Sequence, residues 1–371
     1  MNGSAPERMR SILGWIVGIL AAGLLLRITS HVVIPLVFAI FFSILFAPVA
    51  NYLQARRWPA ALATAACTVG LILLLAGLSG LVVVSIASVA AKSQVYADKA
   101  GQLLRDVRAG LESVLPVEGH VDWIEQLGGA PDPAAVLKNV SNVGLVLGAI
   151  ALILVYFTFL VHFREVVHRR ALAALPPRPP GKQGRSEILS RVQATLRRYL
   201  WLKVLISIAT AAAIGAVAAL LGLDFVPAWV LLAFGLNFIP SVGPMLAVAP
   251  PVAVAFLQSG FAFGAVVAGS MAAIHFLSGN IIEPGLLGSR LRINFLVILL
   301  SLFLWNLIWG FAGMVLAVPL VAAAKVFVDE YGYPWTLRLA LSPMADSQLS
   351  SEIRQDPELA SGKSEPARPV R

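Results

Sequence analysis

Four side chains stand where an apolar chain has least reason to carry them: Asn237, His275, Asn280 and Glu283. Amide and ionisable groups inside hydrophobic runs are costly and usually face a cavity or one another. Their chemistry suits guidance of a polar solute, and the two titratable members, His275 and Glu283, suit proton relay. A structural histidine and a solvated loop carboxylate beside Arg290 are the alternative readings. Asn237 suits bracing a broken backbone better than binding a solute. Around these groups the chain places helix breakers in two apolar runs: Pro240, Ser241, Gly243 and Pro244 in one, and Gly310, Gly313 and Pro319 in the other. Proline removes a backbone donor and glycine permits a sharp turn. Irregular backbone at membrane depth is tolerated only when buried in protein or lining a wet cavity.

The elements that must position these residues are membrane helices. Of 371 residues 58% are hydrophobic and 13% charged, with mean hydropathy +0.84, which describes an integral membrane protein rather than a soluble one. About 20 apolar helical residues cross a bilayer. Runs at 11–28, 32–53, 59–91, 143–161, 199–223, 226–257, 261–278 and 294–328 supply them. The first follows basic residues as a signal peptide would, but it lacks a small-residue cleavage site and reads as a retained span. Residues 92–138 carry five Lys/Arg against seven Asp/Glu and space Leu103, Leu104, Val107, Leu111 and Val114 on one helical face, an amphipathic extramembrane helix. The single cysteine, Cys67, forms no intramolecular disulfide, and no Cys/His spacing suggests a metal site or a cofactor.

The formal charge of +9 is concentrated. Residues 164–203 hold ten Lys/Arg against two Glu, which fits a cytoplasmic loop and not a nucleic-acid surface, since no aromatic interleaving or nucleic-acid motif accompanies it. Charge parity then puts the 92–138 insert outside and Arg8 and Arg10 inside. It also makes 226–257 a hairpin with its tip at 240–244, so that Arg290 and Arg292 return to the basic side. The word GMVLAVP at 313–319 echoes GPMLAVAP at 243–250, with the first tip pointing inward and the second outward. Paired interrupted segments of opposite orientation point to a transport site between inverted repeats.

Three blocks, Asn237 to Pro244, then Gly279, Asn280, Glu283 and Pro284 with Gly288 and Leu291, then Gly310 to Pro319, resemble the autoinducer-2 exporter family of bacterial membrane transporters. The layout before Tyr199 is similar to that family as well. A Ser-Val pair at 241–242 and Phe295 depart from its pattern. The resemblance implies a helical exporter of autoinducer-2 or a cation/proton antiporter, working on a small solute or cation within membrane lipid. It further implies a homo-oligomer, with a pentamer as the suggested form, in the bacterial inner membrane; the charge counts place both termini on the cytoplasmic side.

Gly77-Leu78-Ser79-Gly80 is similar to the GxSG of rhomboid intramembrane proteases, with His275 as the candidate base. Ser79 sits in a long apolar helix, where small residues serve packing. The chain is therefore expected to be no enzyme. The expected organisation is an all-α polytopic protein of six to ten membrane segments. Its parts are N-terminal helices (1–91), the insert (92–140), a helix and basic loop (141–198), a transport core (199–331) and a disordered tail (332–371). A non-transporting scaffold using the insert as its contact surface is the alternative of another class.

Overall fold

The computed structural model describes residues 5–114, 143–176, 184–287 and 293–331, and every regular element among them is a helix. Among the described residues six helices are long and apolar enough to cross a membrane. The chain is a multi-pass membrane protein.

Helix α1 (Ala5–Ile28) leads into α2 (Ser30–Ala55) through Thr29 alone. The Thr29 N–H donates to the Leu25 carbonyl, and the Thr29 carbonyl accepts from Val32 and Val33. The helical ladder thus runs on through a bend, and α1 does not double back along α2. The expectation that Arg8 and Arg10 return to the basic end needs a reversal that this junction does not make.

Helix α3 (Ala60–Val114) is a single 55-residue element, so residues 92–114 of the insert extend the preceding span and are no separate helix. No proline interrupts the sequence between Ala60 and Val114, which leaves nothing to stop the helix where its composition turns polar. The remaining insert residues lie outside the described residues, as do residues 332–371. Helix α4 (Val143–His162) packs on α2 and α3 around Ala39, Cys67, Leu71 and Phe157.

The basic stretch folds largely as helix: α5 (Arg164–Ala174), then α6 (Arg185–Leu220). Ile188, Val192, Leu196 and Tyr199 recur at intervals of three to four and are buried, while Arg197 and Arg198 stay exposed. This amphipathic phase carries α6 fourteen residues below the expected start of the span at Tyr199.

Helix α7 (Val226–Leu236) descends from the far end of α6 and turns back into α8 (Val242–Phe276). Gln258 ties the two ends of this hairpin together: its amide accepts from the Asp224 N–H at 3.0 Å and donates to the Gly222 carbonyl at 2.8 Å. At Ser259 and Gly260 the chain leaves helical geometry, and the rest of α8 packs back against α6 through Val267 and Met271. A π-helical turn (Leu277–Ile282) and the short α9 (Glu283–Leu287) follow.

Helix α10 (Phe295–Tyr331) is broken at Gly310, φ +60°, into a second hairpin. Its two ends meet at Ile293, Val297, Val321 and Val328, beside Ile188 and Val192 of α6. The first legs, 11 residues in α7 and 15 in α10 before the break, reach roughly 16 and 22 Å at 1.5 Å per residue. Neither covers a hydrocarbon core of about 30 Å alone. The hairpins enter from opposite ends, and their tips pass each other. Leu236 and Ile239 of the first pack on Leu302 and Ala317 of the second.

Candidate functional site

The two tips share one local construction. In the first, Ser241 takes φ +62° and Gly243 packs so closely on α7 that a Cβ would fall 1.8 Å from the Leu236 carbonyl oxygen. In the second, Gly310 takes the positive φ, and a Cβ on Gly313 would fall 2.0 Å from the Trp305 carbonyl oxygen. The similar words GPMLAVAP and GMVLAVP thus mark a repeated seat. The turn residue of the first tip is Ser241 rather than Gly243: Gly243 is required for close approach, and its φ is not positive.

Helix α6 carries the polar groups that meet the first tip. Lys203, Ser207 and Thr210 lie at i, i+4 and i+7, one face of a helix, and are 2%, 0% and 3% exposed. Each has a partner on a different element. The Lys203 ammonium donates to both Glu283 carboxylate oxygens at 2.7 and 2.9 Å. Asn237 Nδ2 donates to Ser207 Oγ at 2.9 Å, and the Thr210 and Ser278 hydroxyls lie 2.7 Å apart. Five residues separate Ser278 from Glu283, which on a regular α-helix sets them about 140° apart. The wider i→i+5 turn at Leu277–Ile282 brings both onto α6, and such π turns are frequent at functional sites.

The arrangement gathers Asn237 and Glu283 on one ladder and leaves other expected residues elsewhere. Pro240 and Pro244 are half-buried at the first tip, whereas Ser241 is exposed. Asn280 is exposed and donates to the Phe276 carbonyl of its own helix at 3.2 Å, so it is apart from the ladder. Pro284 is exposed on α9, and Pro319 is buried within α10. Gly288 lies outside the described residues. The first tip faces Met314 and Ala317, one turn past Gly313, while Gly310 is exposed. His275 is buried, and neither ring nitrogen has a hydrogen-bond partner among the described residues. In this structure it makes no hydrogen bond to Ser79 or to Glu283. Glu283 is not a freely solvated carboxylate, since Lys203 holds it.

Lys203, Ser207, Thr210 and Ser278 were not singled out by sequence reasoning. Lys203 counts toward the basic cluster, and only its helical phase with Ser207 and Thr210 in an apolar span sets it apart.

At the opposite end a second polar cluster fastens the base of the first hairpin to α3. Asp224 accepts from Lys92 and, at 2.6 Å, from the Tyr96 hydroxyl. Lys99 reaches the Gln258 carbonyl at 3.4 Å, and the Trp229 indole donates to the Asp224 carbonyl at 2.6 Å. The hydrogen bonds from Lys92 and then Tyr96 hold the Asp224 carboxyl below the usual carboxylate range.

Known proteins share this chain's sequence over most of its length. The AI-2 transport protein TqsA of Escherichia coli (strain K12) is 28% identical over 348 residues, covering 90% of this chain and 95% of its own. A putative transport protein of Haemophilus influenzae (strain ATCC 51907 / DSM 11121 / KW20 / Rd) is 28% identical over 311 residues, covering 82% and 88%. The putative transport protein YhhT of Escherichia coli (strain K12) is 32% identical over 155 residues, 42% of this chain and 44% of its own. Residues 13–332 match the family described as AI-2E family transporter; the chain belongs to that family and is a membrane transporter.

Proposed function

We propose that the protein is a secondary transporter that exports a small polar solute across the bacterial inner membrane, with autoinducer-2 as the first candidate substrate. The observation that carries this reading is the first tip, held at Asn237 by the buried polar ladder of α6 between two hairpins that enter from opposite ends. Broken helices of opposite orientation at mid-depth are the arrangement in which half-helix ends and freed backbone groups meet a polar solute. The substrate suggestion comes from the relative TqsA, which is named as an AI-2 transport protein. Asn237, Ser207, Thr210 and Ser278 supply neutral donors and acceptors for a hydroxylated solute, and Lys203 with Glu283 forms the charged end of the path.

The basic end, with α5 and the start of α6, faces the cytoplasm, together with the end of α10 that packs on Ile188 and Val192. Latch residues Asp224 and Gln258 face outward. The chain acts as a homo-oligomer without a catalytic role.

Flux of autoinducer-2 in everted vesicles tests this directly, with Na⁺ and H⁺ gradients imposed in turn. Solute accumulation that collapses with the driving gradient supports the reading. Cation flux coupled to protons without solute movement would replace it with antiport, and absence of any flux would return the protein to a scaffold role.

A further inference from the structure

Between α3, α7 and the tip of α10 runs an apolar groove of about 650 Å³, within the size range of small-molecule sites. Ser85, Val89 and Ser93 line it from α3, Trp229 and Gly235 from α7, and Phe311 from the α10 tip. Its polar hydrogens are already committed. The Ser85 hydroxyl donates to Leu81, the Ser93 hydroxyl to Ala90 and the Trp229 indole to Asp224, in each case to the backbone carbonyl. The rest of the lining is apolar side chain, which sets the groove apart from the α6 ladder, where charged, amide and hydroxyl groups gather. An apolar cavity does not hold water, and left empty its walls lose dispersion contacts. Val89 is 39% and Phe311 53% exposed, so the groove opens sideways toward the surface that the bilayer covers.

One end of the groove abuts the latch, through Ser93 and Trp229; the other reaches the hairpin tips, through Gly235 and Phe311. At the latch end α3 presents Lys92 and Lys99, two helical turns apart on one face. The Lys92 side chain is 52% exposed beyond its contact with Asp224. Lys99 meets the Gln258 carbonyl at 3.4 Å and the Tyr96 ring, and, with the hydrogen bonds from Lys92 and Tyr96, its charge helps to lower the Asp224 carboxyl pKa. Cations at the mouth of an apolar trough match a phosphate joined to a hydrocarbon chain.

We propose that this groove is a phospholipid site: one acyl chain lies along α3 and α7 down to the tips, with the headgroup phosphate at Lys92 and Lys99. The site is independent of which solute is transported. Because the chain touches both Gly235 of the first hairpin and Phe311 of the second, its occupancy fills the space into which either tip would move.

The test uses the full-length protein in nanodiscs of phosphatidylcholine doped with phosphatidylglycerol that bears a photoactivatable acyl chain, with adducts mapped by mass spectrometry. Adducts are expected to concentrate at 85–93 and 228–236. Gly235→Leu should reduce them to the level of the exposed face of α1. That variant should fold, because a Cβ at 235 meets nothing within 4 Å and leucine is a better helix former than glycine. Lys99→Gln should lower groove labelling roughly fivefold, the weight of one lysine near a lipid phosphate. Adducts spread evenly over α1 and α10, or groove adducts unchanged in Gly235→Leu, would overturn the proposal. So would a disulfide between two copies through Val89→Cys in Cys67→Ser protein, which would make the groove a subunit interface.

Discussion

The two hairpins repeat a seat and differ in how they are anchored. Each drives a glycine against a carbonyl of its own first leg, Gly243 on Leu236 and Gly313 on Trp305. The first tip is then held through a side-chain amide on a buried polar stripe of α6. The second is held through the Trp309 indole, which donates to the Leu26 carbonyl at 3.0 Å amid Phe41, Leu45 and Leu316. Duplicated backbone geometry therefore does not entail duplicated chemistry. The first hairpin is wired to the polar stripe that carries the Lys203–Glu283 pair, and the second is set in an apolar frame.

The difference can be broken at several points. Lys203→Ala should have the largest effect, since it strands the Glu283 carboxylate in a half-buried site, a change that costs about 3–5 kcal/mol. Thermal melting of the purified protein would register it, and the double change Lys203→Met with Glu283→Leu should recover much of the loss while leaving transport absent. Recovery of flux in the double variant would remove the pair from the mechanism.

Next come the seats. Gly243→Ala and Gly313→Ala should each cost roughly 1–3 kcal/mol by overpacking and push the tip off its leg. Flux and oligomer assembly measured side by side separate misfolding from misplacement, and normal values of both for Gly243→Ala would mean the tip is a passive turn.

The anchors should separate the hairpins most clearly. Asn237→Leu and Trp309→Phe each remove one hydrogen bond worth about 1 kcal/mol. Only the first should depress flux, because only Asn237 belongs to the polar ladder. Equal loss of flux in both variants would erase the proposed division.

The smallest effect concerns the latch. The Asp224 carboxyl titrates lower when folded than when unfolded, so its stabilisation is fully present above the ordinary carboxylate range and is lost as the pH falls through the folded value. Melting temperature against pH should therefore decline less steeply on the acid side in Asp224→Asn than in the parent.

The hairpins themselves were legible in the sequence because breakers and charge parity are local signals. Pro240 and Gly243 flag the first break and Gly310 the second, and the charges of Arg290 and Arg292 are what make the first run read as a hairpin. The ladder was not legible in the same way. Lys203 and Glu283 lie eighty residues apart, and a charge count treats a buried lysine like its exposed neighbours Arg197 and Arg198. The role of Gly243 also needed coordinates, since a glycine required for close approach and one required for positive φ look alike in a string of letters. Continuous α3 was masked by its change in composition at Lys92, a boundary of polarity and not of backbone.

That continuous helix has a mechanical consequence. Near one end α3 is wedged at Gly70 by Phe46 and packed through Cys67 and Leu71 on Phe157; further along it grips the base of the first hairpin through Lys92, Tyr96 and Lys99. An unbroken helix of 55 residues, about 82 Å long, transmits tilt without absorbing it. It is a lever with its fulcrum at Gly70: a few degrees of rocking among α2, α3 and α4 becomes a displacement of several ångströms where the hairpin is clasped.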